Sequence, residues 1–330
     1  MSSAILCTNV LLVSIAHSLS LLTPTQSLAA SSSTIRRARD LVQGLVEDDK
    51  CFETASGARA FADACNQCVV YEDRFEPQPV VGRTAVLDHL TNNKINEKRR
   101  IRIDKISDGD KACGFAWTWV TDTEEGLRGT TFVELNENGE IAYVQEIPEP
   151  IYKPGDLTLK LLKTVTADCD WKPFTSFESR SPTKACDVAK YLFSDLQGAD
   201  PSLSLDELMR FVDDRISYRD FNYENLMQGP TEVRKFVQDF TFPGIEFRPL
   251  RFDDGELSTC FTWEVVLDDA PETINGMSFY ELDPETRKIV YVRDVPESAI
   301  KPPILGKLAR QLRPGLGVFQ GVPLGSRQPL

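Results

Sequence analysis

Gly129-Thr-Thr-Phe-Val-Glu-Leu135 returns 147 residues later as Gly276-Met-Ser-Phe-Tyr-Glu-Leu282. The match runs outward from there in one collinear order. Upstream, Val69-Val-Tyr-Glu-Asp73 falls on Ile216-Ser-Tyr-Arg-Asp220, and Gly82-Arg-Thr-Ala-Val86 falls on Gly229-Pro-Thr-Glu-Val233. With one residue less, Phe115-Ala-Trp117 falls on Phe261-Thr-Trp263. Downstream, Ile141-Ala-Tyr-Val144 matches Ile289-Val-Tyr-Val292, and Lys153-Pro154 matches Lys301-Pro302. A sustained match at one offset, shifting by a residue only at turns, marks a duplicated unit. Its size, about 120–130 residues, is that of one domain.

Each copy reads as helices first and strands afterwards. Ile35, Ala38, Leu41, Val42 and Leu45 share one helical face, and Ala58 to Cys65 forms a second helix. A short strand, Val69 to Asp73, and a short helix, Thr84 to Leu90, follow. Cys113, Phe115, Trp117 and Trp119 then alternate with small or polar residues, as a half-buried strand does. Asn136-Glu-Asn-Gly139 is a hairpin turn between two further strands. The order predicts an α+β fold, with helices on one face of a curved antiparallel sheet, built twice.

Around the two copies, residues 1–35 carry no Asp, Glu, Lys or Arg, and Ile5 to Ile15 is an apolar run. The run is shorter than a membrane span and has the length of a signal-peptide core. A Ser- and Thr-rich stretch without acids follows and ends in Arg36-Arg37. Together they resemble the bipartite plastid leaders of algae; plain secretion is the alternative. The expected organisation is a leader over 1–35, domains over 36–163 and 183–312, a linker over 164–182, and a mobile Gly- and Pro-rich tail over 313–330. Ile304, Leu305, Leu308 and Leu312 lie at helical spacing beside Lys307 and Arg310. That stretch fits packing on its own domain better than a membrane surface.

Composition narrows the chemistry. Asp plus Glu number 50 against 37 Lys plus Arg, a formal charge of −13, which disfavours nucleic acid as a partner. The two histidines are His17 and His89, so the chain after the leader holds one. That excludes a two-His metal site, and no metal or cofactor is expected. A nucleophilic triad could use only His89. Cys65-Asn-Gln-Cys68 is the single CxxC, a weak redox or metal signal absent from the second copy. Beyond the leader no apolar run is long enough to span a membrane, so no integral span is expected.

Tyr71-Glu-Asp73 followed by Gly82-Arg-Thr-Ala-Val86, and Tyr218-Arg-Asp220 followed by Gly229-Pro-Thr-Glu-Val233, resemble the aromatic-x-Asp and Gly-x-x-x-hydrophobic signature of the NTF2-like superfamily. This superfamily is also called SnoaL-like or ketosteroid-isomerase-like. The second copy is similar to plastid NTF2-like proteins of plants and algae. The resemblance implies two tandem cone-shaped domains, each enclosing an apolar pocket for a small hydrophobic molecule such as a pigment, lipid or terpenoid. It equally admits isomerase, hydrolase or lyase chemistry, or a non-catalytic role in which sheets pair between domains or copies. It places Asp73 and Asp220 at the position of a general base, with Asp220 in the more complete copy. Tyr191, on the first helix of copy two, is the expected oxyanion donor; copy one has Gly44 there. The strand acid of the isomerases falls nearest Thr131 and Ser278, neither of them acidic. Tyr71, Phe115, Trp117, Tyr218, Phe261 and Trp263 are the expected pocket aromatics. Each of these residues also fits a plainer role, the aspartates as turn caps and the aromatics as core.

Overall fold

The computed structural model describes residues 37–76, 78–95, 99–167, 172–242, 244–267 and 273–298. The expected leader, the 304–312 stretch and the tail lie outside them. The N-terminal half contains helix α1 (Ala38–Gln43), continued by a π-type turn Gly44–Asp48, and α2 (Ala55–Ala64). Thr54 caps α2 by accepting a hydrogen bond from Gly57 N at 3.0 Å. Strands β1 (Cys65–Asp73) and β2 (Val80–Val81) precede α3 (Arg83–His89), and a π-type turn Leu90–Lys94 follows. Strands β3 (Arg100–Ile106), β4 (Ala112–Val120), β5 (Glu125–Leu135) and β6 (Ile141–Pro148) complete the sheet. Helix α4 (Asp156–Val165) leads away from it.

The C-terminal half repeats the order: α5 (Ala185–Lys190) with a π-type turn Tyr191–Asp195, α6 (Pro201–Met209), β7 (Val212–Asp220) and β8 (Met227–Gln228). Then come α7 (Gly229–Phe240), β9 (Ile245–Phe252), β10 (Ser258–Leu267), β11 (Ile274–Leu282) and β12 (Ile289–Pro296). The glycine of the expected motif is needed at both helix starts: Gly82 has φ +95° and Gly229 φ +76°, a region that L side chains avoid.

The fold is α+β with two six-stranded sheets, ordered β2-β1-β6-β5-β4-β3 and β8-β7-β12-β11-β10-β9. The sheets are mixed rather than wholly antiparallel. In each, the first long strand lies parallel to the last, β1 with β6 and β7 with β12. In each half one full helix, α3 or α7, lies between that first strand and the meander, which the chain enters at the opposite edge of the sheet, on β3 or β9.

The strands are also more buried than alternation alone implies. Phe115, Trp117 and Trp119 face the helices of their own half, and Phe261 and Trp263 do the same in theirs. The opposite faces meet: Ala112, Phe132 and Ile147 pack with Cys260, Met277, Phe279 and Val295 in a shared core. Apolar strand faces cannot stay in water, and here each sheet covers the other. The seam is reciprocal at its edge. Asp108 accepts from the amides of Glu256, Leu257 and Ser258, and its repeat partner Asp254 accepts from those of Asp110 and Lys111. The centre is not reciprocal. Ser107 Oγ donates to Asp253 at 2.5 Å, Gly114 faces Cys260, and buried Arg293 donates to Thr130 Oγ1 and to the Gly129 carbonyl. No described helix is long and apolar enough to cross a membrane.

Candidate functional site

The site grows from the register of β7 and its neighbours. Ile216, Tyr218 and Asp220 alternate inward along β7, as a two-residue period requires. Asp220 pairs in register with Asp294 on β12, and Asp294 pairs with Ser278 on β11. Two carboxyls and a hydroxyl thus stand in one row across three strands. Tyr218 Oη donates to Asp294 Oδ2, Ser278 Oγ donates to Asp294 Oδ1 at 2.5 Å, and Trp263 Nε1 donates to Ser278 Oγ at 2.8 Å. Asp220 Oδ1 accepts from Asn222 N at 2.7 Å, closing the turn after the strand.

This row borders a cavity of about 710 Å³. Its walls are mainly apolar, with Leu192, Phe193, Val233, Phe236, Phe247 and Trp263 among them, and Tyr218, Asp220, Ser278 and Asp294 supply polar points. Helix α4, reached from the N-terminal half, contributes Thr158 and Leu162 to the wall, and Lys172 from the expected linker contributes as well. Gly155 N donates to Asn222 O at 2.8 Å and holds the start of α4 beside β7. Cavities of this size and character are typical of small-molecule sites.

Burial sets the electrostatics. Asp220 and Asp294 are each 8% exposed. Loss of water pushes the Asp220 carboxyl up to about 7, and the neighbouring Asp294 charge adds to the effect, against the Asn222 amide and the Lys153 ammonium. Asp294 is raised by burial to about 6, opposed by the hydroxyls of Ser278 and Tyr218. The Tyr218 phenol is held well above its ordinary value by burial and by the Asp294 charge.

The N-terminal half has the same row and a different interior. Asp73 pairs with Glu146, and Glu146 with Thr131. Tyr71 Oη donates to Glu146 Oε2 at 2.6 Å, and Trp117 Nε1 to Thr131 Oγ1 at 2.9 Å. Asp73 Oδ1 accepts from Phe75 N at 3.0 Å, as Asp220 Oδ1 does from Asn222. The space in front is taken by side chains. Lys94 Nζ lies 2.9 Å from Asp73 Oδ2 and also contacts Glu146 Oε1, and His89 Nε2 lies 3.2 Å from Asp73 Oδ2. The π-type turn after α3 carries Lys94 inward; in the C-terminal half α7 runs on unbroken to Phe240. At the repeat positions of His89 and Lys94 stand Phe236 and Thr241, both on the cavity wall. Asp73, Glu76 and His89 bring three ligand atoms within 4.8 Å of one another. The Lys94 ammonium beside Asp73 already supplies positive charge there, so this trio is a poor metal centre.

Of the residues expected from the sequence, Asp220, Tyr218 and Trp263 meet at one cavity. Tyr191 does not join them. Its hydroxyl donates to Glu207 at 2.9 Å and accepts from Arg180 N at 3.2 Å, in a network outside the cavity wall. Phe261 is fully buried, stacked on Phe252 and touching Phe193 and Tyr280 edge-on, behind the cavity. Tyr71, Phe115, Trp117 and Asp73 belong to the buried interior of the N-terminal half. Cys65 is buried and Cys68 exposed, both as free thiols. Acids do stand one strand beyond Thr131 and Ser278, Glu146 on β6 and Asp294 on β12. The repeat carries a signal for them: an acid recurs two residues after each Tyr-Val, in Tyr143-Val-Gln-Glu146 and Tyr291-Val-Arg-Asp294.

No protein-family model matches the chain, and no curated protein does. Several solved structures are similar. A protein described as a candidate ketosteroid isomerase, from Kribbella flavida, is 18% identical over 36% of this chain and 81% of its own, with a TM-score of 0.29. A SnoaL-like family protein from Agrobacterium tumefaciens, described as a candidate isomerase, is 17% identical over 36% of this chain and 100% of its own, with a TM-score of 0.30. SalBIII, an epoxide hydrolase/cyclase-like enzyme of pyran-ring formation in salinomycin, is 14% identical over 34% of this chain and 89% of its own, with a TM-score of 0.28.

Proposed function

We propose that the C-terminal half binds a small, mainly apolar molecule in the cavity bordered by Asp220 and Asp294, while the N-terminal half serves as a filled counterpart. The observation that carries this reading is the contrast between the halves. The same strand row faces a cavity of about 710 Å³ in one half and the side chains of His89 and Lys94 in the other. A concave, mainly apolar wall gains contacts and loses exposed apolar surface when a ligand of matching shape covers it. Native mass spectrometry of the protein purified from its own cell tests the reading. The expected result is an adduct of a few hundred daltons that Trp263→Ala or Val233→Trp diminishes. An adduct unaffected by both changes, or a cavity that takes up no apolar probe, would overturn it.

A second reading, proton transfer by Asp220 on such a compound, is favoured by one observation: burial holds this carboxyl near 7, where a base is effective at neutral pH. Chemistry next to a carbonyl also needs donors aimed at the developing oxyanion. The hydroxyls of Tyr218 and Ser278 both donate to Asp294 instead, and Tyr191 lies outside the cavity, so binding leads. Asp220→Asn separates the two: loss of turnover with an unchanged melting temperature supports catalysis, and a lowered melting temperature alone marks Asp220 as structural. The leader composition supports delivery to a plastid; a fluorescent fusion of residues 1–60 found elsewhere in the cell would refute that.

A further inference from the structure

The N-terminal half carries, in its own side chains, a description of what the C-terminal cavity lacks. Lys94 Nζ sits against Asp73 Oδ2 and Glu146 Oε1, the two carboxyls of the strand row. In the C-terminal half the equivalent carboxyls, Asp220 and Asp294, are present in the same register, and the residue at Lys94's position is Thr241; the lysines nearby come from elsewhere in the chain, Lys153 toward Asp220 and Lys172 on the cavity wall. Each half uses the first oxygen of its aspartate in the turn, Asp73 Oδ1 toward Phe75 N and Asp220 Oδ1 toward Asn222 N. The oxygen that meets Lys94 in one half therefore faces the cavity in the other. Asp294 accepts from Tyr218 and Ser278, and a carboxylate with two partners keeps acceptor capacity for a third.

Two adjacent buried carboxyls at the edge of an apolar cavity repel when ionised, and a single positive charge between them relieves both the repulsion and the loss of water. Tyr218, Phe236 and Trp263 on the cavity wall are aromatic, the side-chain class whose rings attract a cation. We propose that the C-terminal cavity takes an apolar molecule bearing one protonated amine, its nitrogen seated between Asp220 and Asp294 as the Lys94 nitrogen is between Asp73 and Glu146. This rests on the reading of the cavity as a ligand site and names the ligand's chemical class.

The test uses three probes of one shape on the full chain at pH 7.5: 2-(1-naphthyl)ethylamine, 2-(1-naphthyl)ethanol and 1-naphthylacetate, followed by titration calorimetry. The amine is expected to bind at least about tenfold more tightly than the alcohol, with the carboxylate weakest. Asp220→Asn and Asp294→Asn, each checked for an unchanged circular dichroism spectrum, should bring the amine-to-alcohol ratio below about threefold. Thr241→Lys, which gives the cavity the sister half's ammonium, should lower amine affinity at least about tenfold. Equal binding of amine and alcohol by the unmodified protein would overturn the amine and leave the apolar-ligand reading standing. Failure of all three probes to bind would overturn both.

Discussion

Asp220 and Asp73 show how neighbours decide what one residue type does. Both end a strand, both close a turn with one oxygen, and both are buried. Asp73 has Lys94 and His89 in front of it; Asp220 has Phe236 and Thr241 at those positions. The folded-state pKa of Asp220, about 7, lies above the ordinary carboxylate value of about 3.9. The folded form therefore holds the proton more tightly, and the stability this contributes is complete below pH 4 and lost as pH rises toward 7. Between pH 5 and pH 8 the loss should be on the order of 2 kcal/mol by linkage. Urea melts at the two pH values should show it, and Asp220→Asn should remove that part of the slope. Lys94 is the converse case. Lys94→Met leaves Asp73 and Glu146 buried without their ammonium, so the urea midpoint at pH 8 should fall by the equivalent of about 3–5 kcal/mol. Thr241→Met on the open cavity wall should cost far less.

At the level of elements, the strands and short helices were legible because their period survives packing. The tandem match fixed two copies, and the alternation along Cys113–Trp119 and Val69–Asp73 located strands that exist. The parallel pairing of first and last strand was not legible, since nothing local in Cys65–Asp73 distinguishes a parallel from an antiparallel neighbour. The row of side chains at the cavity was half legible. Asp220, Tyr218 and Trp263 follow from the repeat and the resemblance, whereas Asp294 and Glu146 depend on which strand lies beside β7 and β1. The place of Tyr191 was not legible, because a helix position specifies a face but not the partner of a hydroxyl; Glu207, on α6, accepts from it. Gly129 and Gly276, at repeat-equivalent places on β5 and β11, have an element-level cause. A Cβ on Gly276 would overlap the Trp263 indole, as one on Gly129 would overlap that of Trp117. Gly276→Ala should push the Trp263 ring toward the cavity and weaken binding of an apolar probe at least about fivefold, with a stability loss of about 1–3 kcal/mol. Fluorescence titration on the intrinsic tryptophans would read the first effect and thermal melts the second.

Across the whole molecule, the seam between the sheets reconciles one repeated sequence with two different surfaces. Large meets small at its centre: Cys260 fills the space that Gly114 leaves, and a Cβ on Gly114 would overlap the Cys260 side chain. Gly114→Ala should destabilise the chain by roughly 1–3 kcal/mol, and Cys260→Gly in the same chain should recover most of the loss, a coupling that a double-mutant cycle measures. Independent effects that simply add would mean that the two residues do not meet. Helix α4 adds a dependency of another kind. It is numbered with the first repeat, yet Thr158 and Leu162 enclose space inside the second. A fragment beginning at residue 183 would inherit every strand of its own sheet and still leak, because one plank of that vessel is nailed to its neighbour.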